Sequence, residues 1–289
     1  MKPLTAICLI LAANAAFAAP KIIAHRAGAA DAPENTVSAI GQALKNRADM
    51  IWITVQLSKD NIPVLYRPIN LSANTDAEGR ISDYTAAQLA KLNAGFRFQA
   101  NGRYPYRNRR LPIPTLEEVL KRYPQTPFLI DLKSPDADPA VFAQALTGVI
   151  ERTGAKDRVR FYSTEPKFIQ SIGHYPTFAD RSQTRAALAQ AALAGEDCGS
   201  EDFDREYWHG FELNRKVKVV EKFTLGEGAS DAILTWSAHE MDCFNRHAPQ
   251  KVILFGINTW ADYRKAEALG AYGIMTDTPK RFNTGNRHR

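Results

Sequence analysis

The chain has 289 residues, 45% of them hydrophobic, with a formal charge of +6 from 37 basic and 31 acidic side chains. That length and composition suit one large core, and the small, dispersed basic excess excludes a nucleic-acid module of the strongly basic kind. Beyond the first residues, no apolar run approaches the ~20 positions that a membrane-spanning helix needs.

Met1-Lys2-Pro3 leads into the apolar run Leu4–Ala13, and Ala16-Phe17-Ala18 precedes Ala19. A short positive start, an apolar stretch of this length and a small-x-small site describe a secretory signal. The expectation is a signal peptide over 1–18 and a secreted, periplasmic mature chain over 19–289, whose charge falls from +6 to +5 with the loss of Lys2. Cys198 and Cys243 remain, and in an oxidising compartment an even count permits one disulfide, with two free thiols as the alternative.

Lys21–Ala24 reads as a short buried strand that delivers His25 to its C-terminal end. Pro33 then marks a start signal for an amphipathic helix over Thr36–Lys45. Met50–Leu57 and Ile62–Tyr66 read as strands. Arg103, Arg107, Arg109 and Arg110 cluster in a loop that is solvated or attracts anions. Leu116–Leu120 is helical, with Thr115 as its N-cap and Glu118 three residues on. Phe128–Lys133 is a strand, Ala140–Arg152 a helix, Val159–Tyr162 a strand and Ala186–Ala194 an alanine-rich helix. Val217–Val220, Val252–Ile257 and Gly273–Thr276 supply further strands, and Trp260–Leu269 a late helix. Short apolar strands alternating with helices predict a parallel β/α architecture, either a closed barrel or an open doubly wound sheet.

Active groups in a β/α barrel sit at the C-terminal ends of its strands. That rule selects His25, Arg26, Thr54, Gln56, Arg67, Asp131, Lys133, Ser163 and Asp277. A histidine and several cations on one rim suit an anionic ligand, because guanidinium and ammonium groups pair well with phosphate oxygens. The run Phe211–Lys222 is dense in charge and is followed by the turn-like Gly226-Glu227-Gly228. It reads as an exposed strand edge, or as a strand bringing Glu212, Lys216 or Glu221 to the pocket, with Glu212, Asn214, Lys216 and Lys218 on one face. His239, Glu240 and His247 lie near Cys243 in a spacing that matches no standard zinc pattern. No nucleophile elbow, phosphate-cradling loop or His-Glu-x-x-His helix is present.

Several segments, taken in order, resemble the glycerophosphodiester phosphodiesterase family. They are Ile23-Ala24-His25-Arg26-Ala27-Gly28, Pro33-Glu34-Asn35-Thr36, Val55–Asp60 with Pro63-Val64-Leu65, Ile130-Asp131-Leu132-Lys133, and Gly273–Pro279. The resemblance covers both ends of the mature chain and is weak over roughly 175–250. It implies a single-domain (β/α)8 TIM-type barrel that hydrolyses glycerophosphodiesters to an alcohol and glycerol 3-phosphate. It also implies two histidines acting as base and acid, and a calcium or magnesium ion held by three carboxylates. At the carboxylate positions this chain has Trp52, Thr54 and Asp131, and at the second histidine position Arg67. Trp52 and Thr54 cannot serve as carboxylate ligands, and Arg67 does not exchange a proton near neutral pH. The expectation is therefore His25 as the catalytic residue, Arg26, Arg67 and Lys133 as substrate-binding, and Glu34 with Asp131 as metal ligands, helped by Glu212 or Glu165. The alternatives are a barrel that binds a small phosphodiester or other anion without turnover, and a structural or interaction domain.

Overall fold

The computed structural model describes residues 18–194, 198, 203–224 and 226–283, so positions 1–17 of the expected signal lie outside them. In chain order the elements are β1 (Lys21–Ala24), α1 (Val37–Lys45), β2 (Met50–Leu57), β3 (Pro63–Leu65), α2 (Ala86–Leu89), α3 (Leu116–Arg122) and β4 (Phe128–Leu132). They continue with α4 (Pro139–Arg152), β5 (Val159–Tyr162), α5 (Pro166–Ser171), α6 (Arg181–Ala194), β6 (Trp208–Glu212), β7 (Asn214–Phe223) and β8 (Gly226–Thr235). The last are α7 (Ala238–Phe244), β9 (Lys251–Phe255), α8 (Trp260–Ala268) and β10 (Gly273–Thr276).

Seven strands run parallel in the order β5-β4-β2-β1-β10-β9-β6, and β3 pairs antiparallel with β2. The runs Ile22–Ala24, Ile51–Val55 and Val252–Phe255, apolar but for Thr54, are buried throughout, as strands covered on both faces must be. The two edges are linked by the extended segment 176–179. Phe161 N–H donates to Pro176 O at 2.8 Å, Phe178 N–H to Phe161 O at 2.9 Å, and Ala179 N–H to Trp208 O at 2.9 Å. Pro176 has no N–H to add to a ladder, which keeps this bridge short of a regular strand. Among the described residues the structure thus shows seven parallel strands and a bridging segment where eight regular strands were expected.

Three sequence expectations change. Ile62–Tyr66 shortens to β3 and turns back on β2 instead of joining the parallel set. Val217–Val220 belongs to the ribbon β7–β8, which is outside the main sheet, because the exposed Lys216 and Lys218 cannot be buried on both faces. The turn expected at Gly226-Glu227-Gly228 is the start of β8. The strand that fills this place in the parallel sheet is β6, Trp208–Glu212, which was not expected.

Inside the parallel set Trp52 packs against Tyr162, Phe255 and Phe178 with centroids 5.0, 5.4 and 5.9 Å away, in tilted and edge-on contacts. Gly210 makes room for this layer: a Cβ there would stand 2.4 Å from Phe255 Cζ. A position where the family resemblance implies a metal-binding carboxylate is here part of an apolar core, 2% exposed.

Candidate functional site

The chain turns sharply after β1. Arg26 and Ala27 take φ of 48° and 65°, and Gly28 follows at 88°. A Cβ on Gly28 would lie 3.1 Å from Pro279 Cδ, so this turn packs directly on the segment after β10. Asp31 fastens the two ends: its carboxylate accepts from Thr278 Oγ1 at 2.8 Å and Lys280 N–H at 2.9 Å, while Ala30 N–H donates to Asp277 O at 2.9 Å. The result is a fixed contact of His25 Nδ1 with Asp277 Oδ1 at 2.6 Å. Asn258 supports Asp277, donating from Nδ2 to Oδ2 at 3.3 Å and accepting from its N–H at 2.9 Å.

The hydrogen bond from His25 holds the Asp277 carboxyl below the usual carboxylate range, against desolvation, with Asn258 and Arg26 adding to the effect. Ionised Asp277 accepts the hydrogen bond of Nδ1–H, the tautomer that leaves the lone pair on Nε2. That lone pair accepts from Arg26 Nε at 3.2 Å.

The Pro33–Thr36 segment holds the neighbouring rim. Asn35, at φ 56°, donates its N–H to Arg26 O at 2.9 Å, and its Oδ1 accepts from Thr54 N–H at 2.9 Å. Thr36 caps α1 through Ala39 N–H at 3.1 Å and donates to Pro33 O at 2.8 Å. Glu34 accepts from Arg26 Nη1 at 2.5 Å and from Asn74 Nδ2 at 3.2 Å.

A cavity of about 410 Å³ opens at the C-terminal ends of the parallel strands, within the size range of small-ligand sites. His25, Arg26, Arg67, Asp131 and Lys133 line it, together with Tyr162, Arg181, Glu212, Arg215 and Asp277. Five cations (Arg26, Arg67, Lys133, Arg181, Arg215) face three carboxylates (Asp131, Glu212, Asp277), and Glu34 pairs with Arg26 from behind the lining. Arg67 is exposed and makes no hydrogen bond or ion pair among the described residues, which leaves its guanidinium available to a ligand. Lys133 Nζ stands 3.8 Å from Asp131 Oδ2 and 3.5 Å from Thr164 Oγ1.

Glu212 receives Arg181 Nη2 on both oxygens, at 2.8 and 2.7 Å, and Arg215 Nη1 at 2.6 Å. Burial works to raise its pKa, and the two guanidinium groups outweigh burial and bring it below the ordinary value. Tyr162 is pushed up to about 12 by burial and accepts from Arg181 Nη1 at 3.1 Å. A second cavity, of about 440 Å³, is lined by residues of α3 and α4, including Glu117, Lys121 and Arg152. Those three are already paired with one another, and no histidine lines it.

The rim does not fit a divalent ion held by carboxylates. Trp52 and Thr54 lie on one face of β2, and Thr54 sits opposite Asp131 on β4. Trp52 Nε1, Thr54 Oγ1 and Asp131 Oδ1 are all buried without a hydrogen-bond partner. Of these three only Asp131 is an anionic donor, and the indole N–H can only donate. The other lining carboxylates, Glu212 and Asp277, are taken up by Arg181 with Arg215 and by His25, whereas calcium and magnesium require several oxygen ligands. Burial raises the Asp131 carboxyl to about 6, against the pull of Lys133, His25, Arg67 and Arg26. Among the described residues, the one group of three ligating side chains within 4.8 Å of one another is Cys198, His239 and Cys243. Its two sulfurs are joined as a disulfide and offer no thiolate.

The structure therefore brings His25, Arg26, Arg67, Asp131 and Lys133 to one cavity, and leaves Glu34 behind Arg26, outside the lining. Gln56 donates to Tyr66 O and Pro68 O, and Ser163 to Leu132 O, so both brace strand ends. Glu165 pairs with Lys167 at 3.2 Å. Of the charged middle run, Glu212 reaches the cavity, whereas Lys216 points out from the ribbon. The arginine-rich loop stacks on its own aromatics, with Arg107 over Tyr104 at 3.7 Å. Sequence reasoning missed Arg181 and Arg215, whose signal was their closeness to the ends of two extended segments that it did not recognise.

The model of the glycerophosphoryl diester phosphodiesterase family matches residues 25–281. The chain is 41% identical over 268 residues to the uncharacterized protein Rv2277c of Mycobacterium tuberculosis, covering 90% of this chain and 87% of that protein. It is 32% identical over 280 residues to YhdW of Bacillus subtilis, covering 92% and 98%. The crystal structure of the glycerophosphoryl diester phosphodiesterase domain of Rv2277c superposes with a TM-score of 0.86 at 37% identity, covering 93% of this chain and all of that one. A phosphodiesterase of Oleispira antarctica, in complex with the product sn-glycerol-3-phosphate, superposes at 0.66 with 21% identity over 90% of this chain and 94% of that one, a likeness of fold.

Proposed function

The chain belongs to the glycerophosphoryl diester phosphodiesterase family, and we propose that it hydrolyses glycerophosphodiesters to an alcohol and glycerol 3-phosphate without a carboxylate-held divalent ion. We read segment 176–179 as the eighth member of a closed barrel, with the active groups on its C-terminal rim. The observation that carries the proposal is the His25–Asp277 contact at 2.6 Å, which fixes the imidazole through Nδ1 and turns Nε2 toward the cations on that rim.

In this reading Arg26, Arg67 and Lys133 hold the phosphate oxygens, and their charges offset the charge that develops as water adds to phosphorus. His25 Nε2 takes the proton of the attacking water once the ligand draws Arg26 Nε away from it. Asp277 keeps the proton of Nδ1 in place and stabilises the imidazolium that forms. The leaving oxygen departs beside Arg67, which carries charge but cannot supply a proton, so the alkoxide takes its proton from water and the His25 imidazolium returns its own to solvent. Losing one proton-transfer partner typically costs 10²–10⁴-fold, so turnover is slow beside that of a two-histidine enzyme.

The second reading, binding of a phosphodiester without turnover, is favoured by Arg67 itself: the site gains an anion-binding group where the family places its acid. Glycerophosphoglycerol separates the two in one experiment, with heat of binding and release of glycerol 3-phosphate followed together in wild type and His25→Ala. Release that His25→Ala abolishes supports the enzyme, and binding without release in the wild type supports the second reading.

For location, we place the protein outside the cytoplasm. Residues 1–18 support this, as does the disulfide between Cys198 and Cys243, a bond at home in oxidising compartments.

A further inference from the structure

We propose that Arg215, standing on the Arg181–Glu212 pair, forms a second subsite in the same cavity that takes an anionic group carried on the alcohol arm of the diester. The inference rests on the reading of the cavity as a glycerophosphodiester site.

The phosphate-binding set and this cluster come from different parts of the sheet. His25, Arg67 and Lys133 follow β1, β3 and β4, whereas Arg181, Glu212 and Arg215 come from the start of α6, the end of β6 and the start of β7. In the sheet order β6 is the edge strand three places from β1, on the side away from β2 and β4. Both sets nonetheless line one cavity of about 410 Å³, together with Trp52, Phe255 and Met275. That volume accommodates a diester with a substituent beyond its phosphate.

The donors of the cluster are unequally used. Arg181 gives Nη2 to both Glu212 oxygens and Nη1 to Tyr162 Oη and, at 3.5 Å, to Gly210 O. Arg215 gives only Nη1, to Glu212, and its Nε and Nη2 donate no hydrogen bond among the described residues. Its side chain is 45% exposed, against 18% for Arg181, so Arg181 serves as the foundation and Arg215 as the free fork. Glu212 is shared by two guanidinium groups, which leaves this end of the cavity positive by one charge.

The balance over the whole cavity agrees. Arg26 is already paired with Glu34 behind the lining, so the surplus cations are Arg67 at the phosphate end and Arg215 at this end. A choline or amine headgroup would instead meet two guanidinium groups and the one carboxylate that they already occupy. For a half-exposed cluster this discrimination amounts to about tenfold per unit of headgroup charge. The substrate class is therefore a glycerophosphodiester whose alcohol carries a phosphate, phosphodiester or carboxylate.

The test is calorimetric binding of glycerophosphocholine, glycerophosphoglycerol and bis(glycerophospho)glycerol, whose headgroups carry +1, 0 and −1. Dissociation constants are expected to fall in that order, by about tenfold at each step. Arg215→Ala is expected to collapse the ratio between the first and last ligands. Glu212→Gln, which releases Arg181, is expected to widen it. Equal affinities, a reversed order, or a ratio unchanged in Arg215→Ala overturns the subsite. If the choline diester binds best, the subsite falls and the glycerophosphodiester site stands; if none of the three binds, both fall.

Discussion

His25 Nδ1 and Asp277 Oδ1 lie 2.6 Å apart although 252 positions separate them in the chain. The contact joins the first and last parallel strands of the sheet, and Asp31 and Asn258 hold both sides of it in place. Asp277→Asn keeps the shape of the side chain but removes the charge that fixes the imidazole tautomer. The expected outcome is a fall in kcat of about 10²–10⁴-fold with KM little changed. Steady-state kinetics measures it, and a loss expressed only in KM contradicts the role given to Asp277.

Arg67 is exposed and makes no hydrogen bond or ion pair among the described residues, so its removal should not unsettle the fold. Arg67→Ala is expected to weaken phosphodiester binding about tenfold while the melting temperature stays within a degree or two. Arg67→His returns a proton-transfer group to the same rim and is expected to raise kcat at the cost of affinity. Calorimetry and thermal melts on the two variants decide this.

Trp52 fills the interior beneath the rim and touches three other aromatic rings. Trp52→Ala is expected to destabilise the protein by about 3–5 kcal/mol, the usual cost of emptying a buried aromatic site. Denaturant melts check the figure, and a cost under 1 kcal/mol contradicts the packing role.

His209 is fully buried between Thr184 and Gln250, and burial lowers its pKa to about 4. The unfolded chain takes up that proton near pH 6.5, while the folded chain resists it until about pH 4. Stability from this group is thus complete above pH 6.5 and falls as the pH drops toward 4, by roughly 3 kcal/mol in all. His209→Gln is expected to flatten that part of the stability profile, as seen in melts between pH 4 and 7.

The disulfide Cys198–Cys243 closes a loop of 45 residues. Loop-closure entropy for that length amounts to about 4 kcal/mol as an upper figure. Reduction is expected to lower the melting temperature by several degrees in the wild type and leave Cys198→Ser/Cys243→Ser unchanged.

Much of the site was legible because its motifs are backbone requirements as well as chemistry. Gly28 at the end of its turn, the left-handed Asn35 and the Thr36 cap each suit the backbone they occupy, so the segments around His25 and Pro33 pointed to one rim. The strand Phe128–Leu132 announced itself by continuous apolar character and carried Asp131 with it. What escaped notice lies where local pattern and tertiary role part company. Trp208–Glu212 shows no clear alternation, and its His209 and Gly210 are buried only because Phe203, Phe244 and Phe255 pack against them. Arg215 was submerged in a charged run whose strand β7 leaves the sheet altogether. The pairing of Asp277 with His25 spans nearly the whole chain, beyond the reach of any local pattern.

The central claim is hydrolysis by His25 without a carboxylate-held divalent ion. The most direct measurement is release of glycerol 3-phosphate from glycerophosphoglycerol by the wild type in excess chelator, compared with the same reaction plus calcium or magnesium and with His25→Ala. The account expects slow release that chelator leaves intact, that added ions do not raise, and that His25→Ala abolishes. Release that chelator stops and an added ion restores, or no release under any condition, contradicts it.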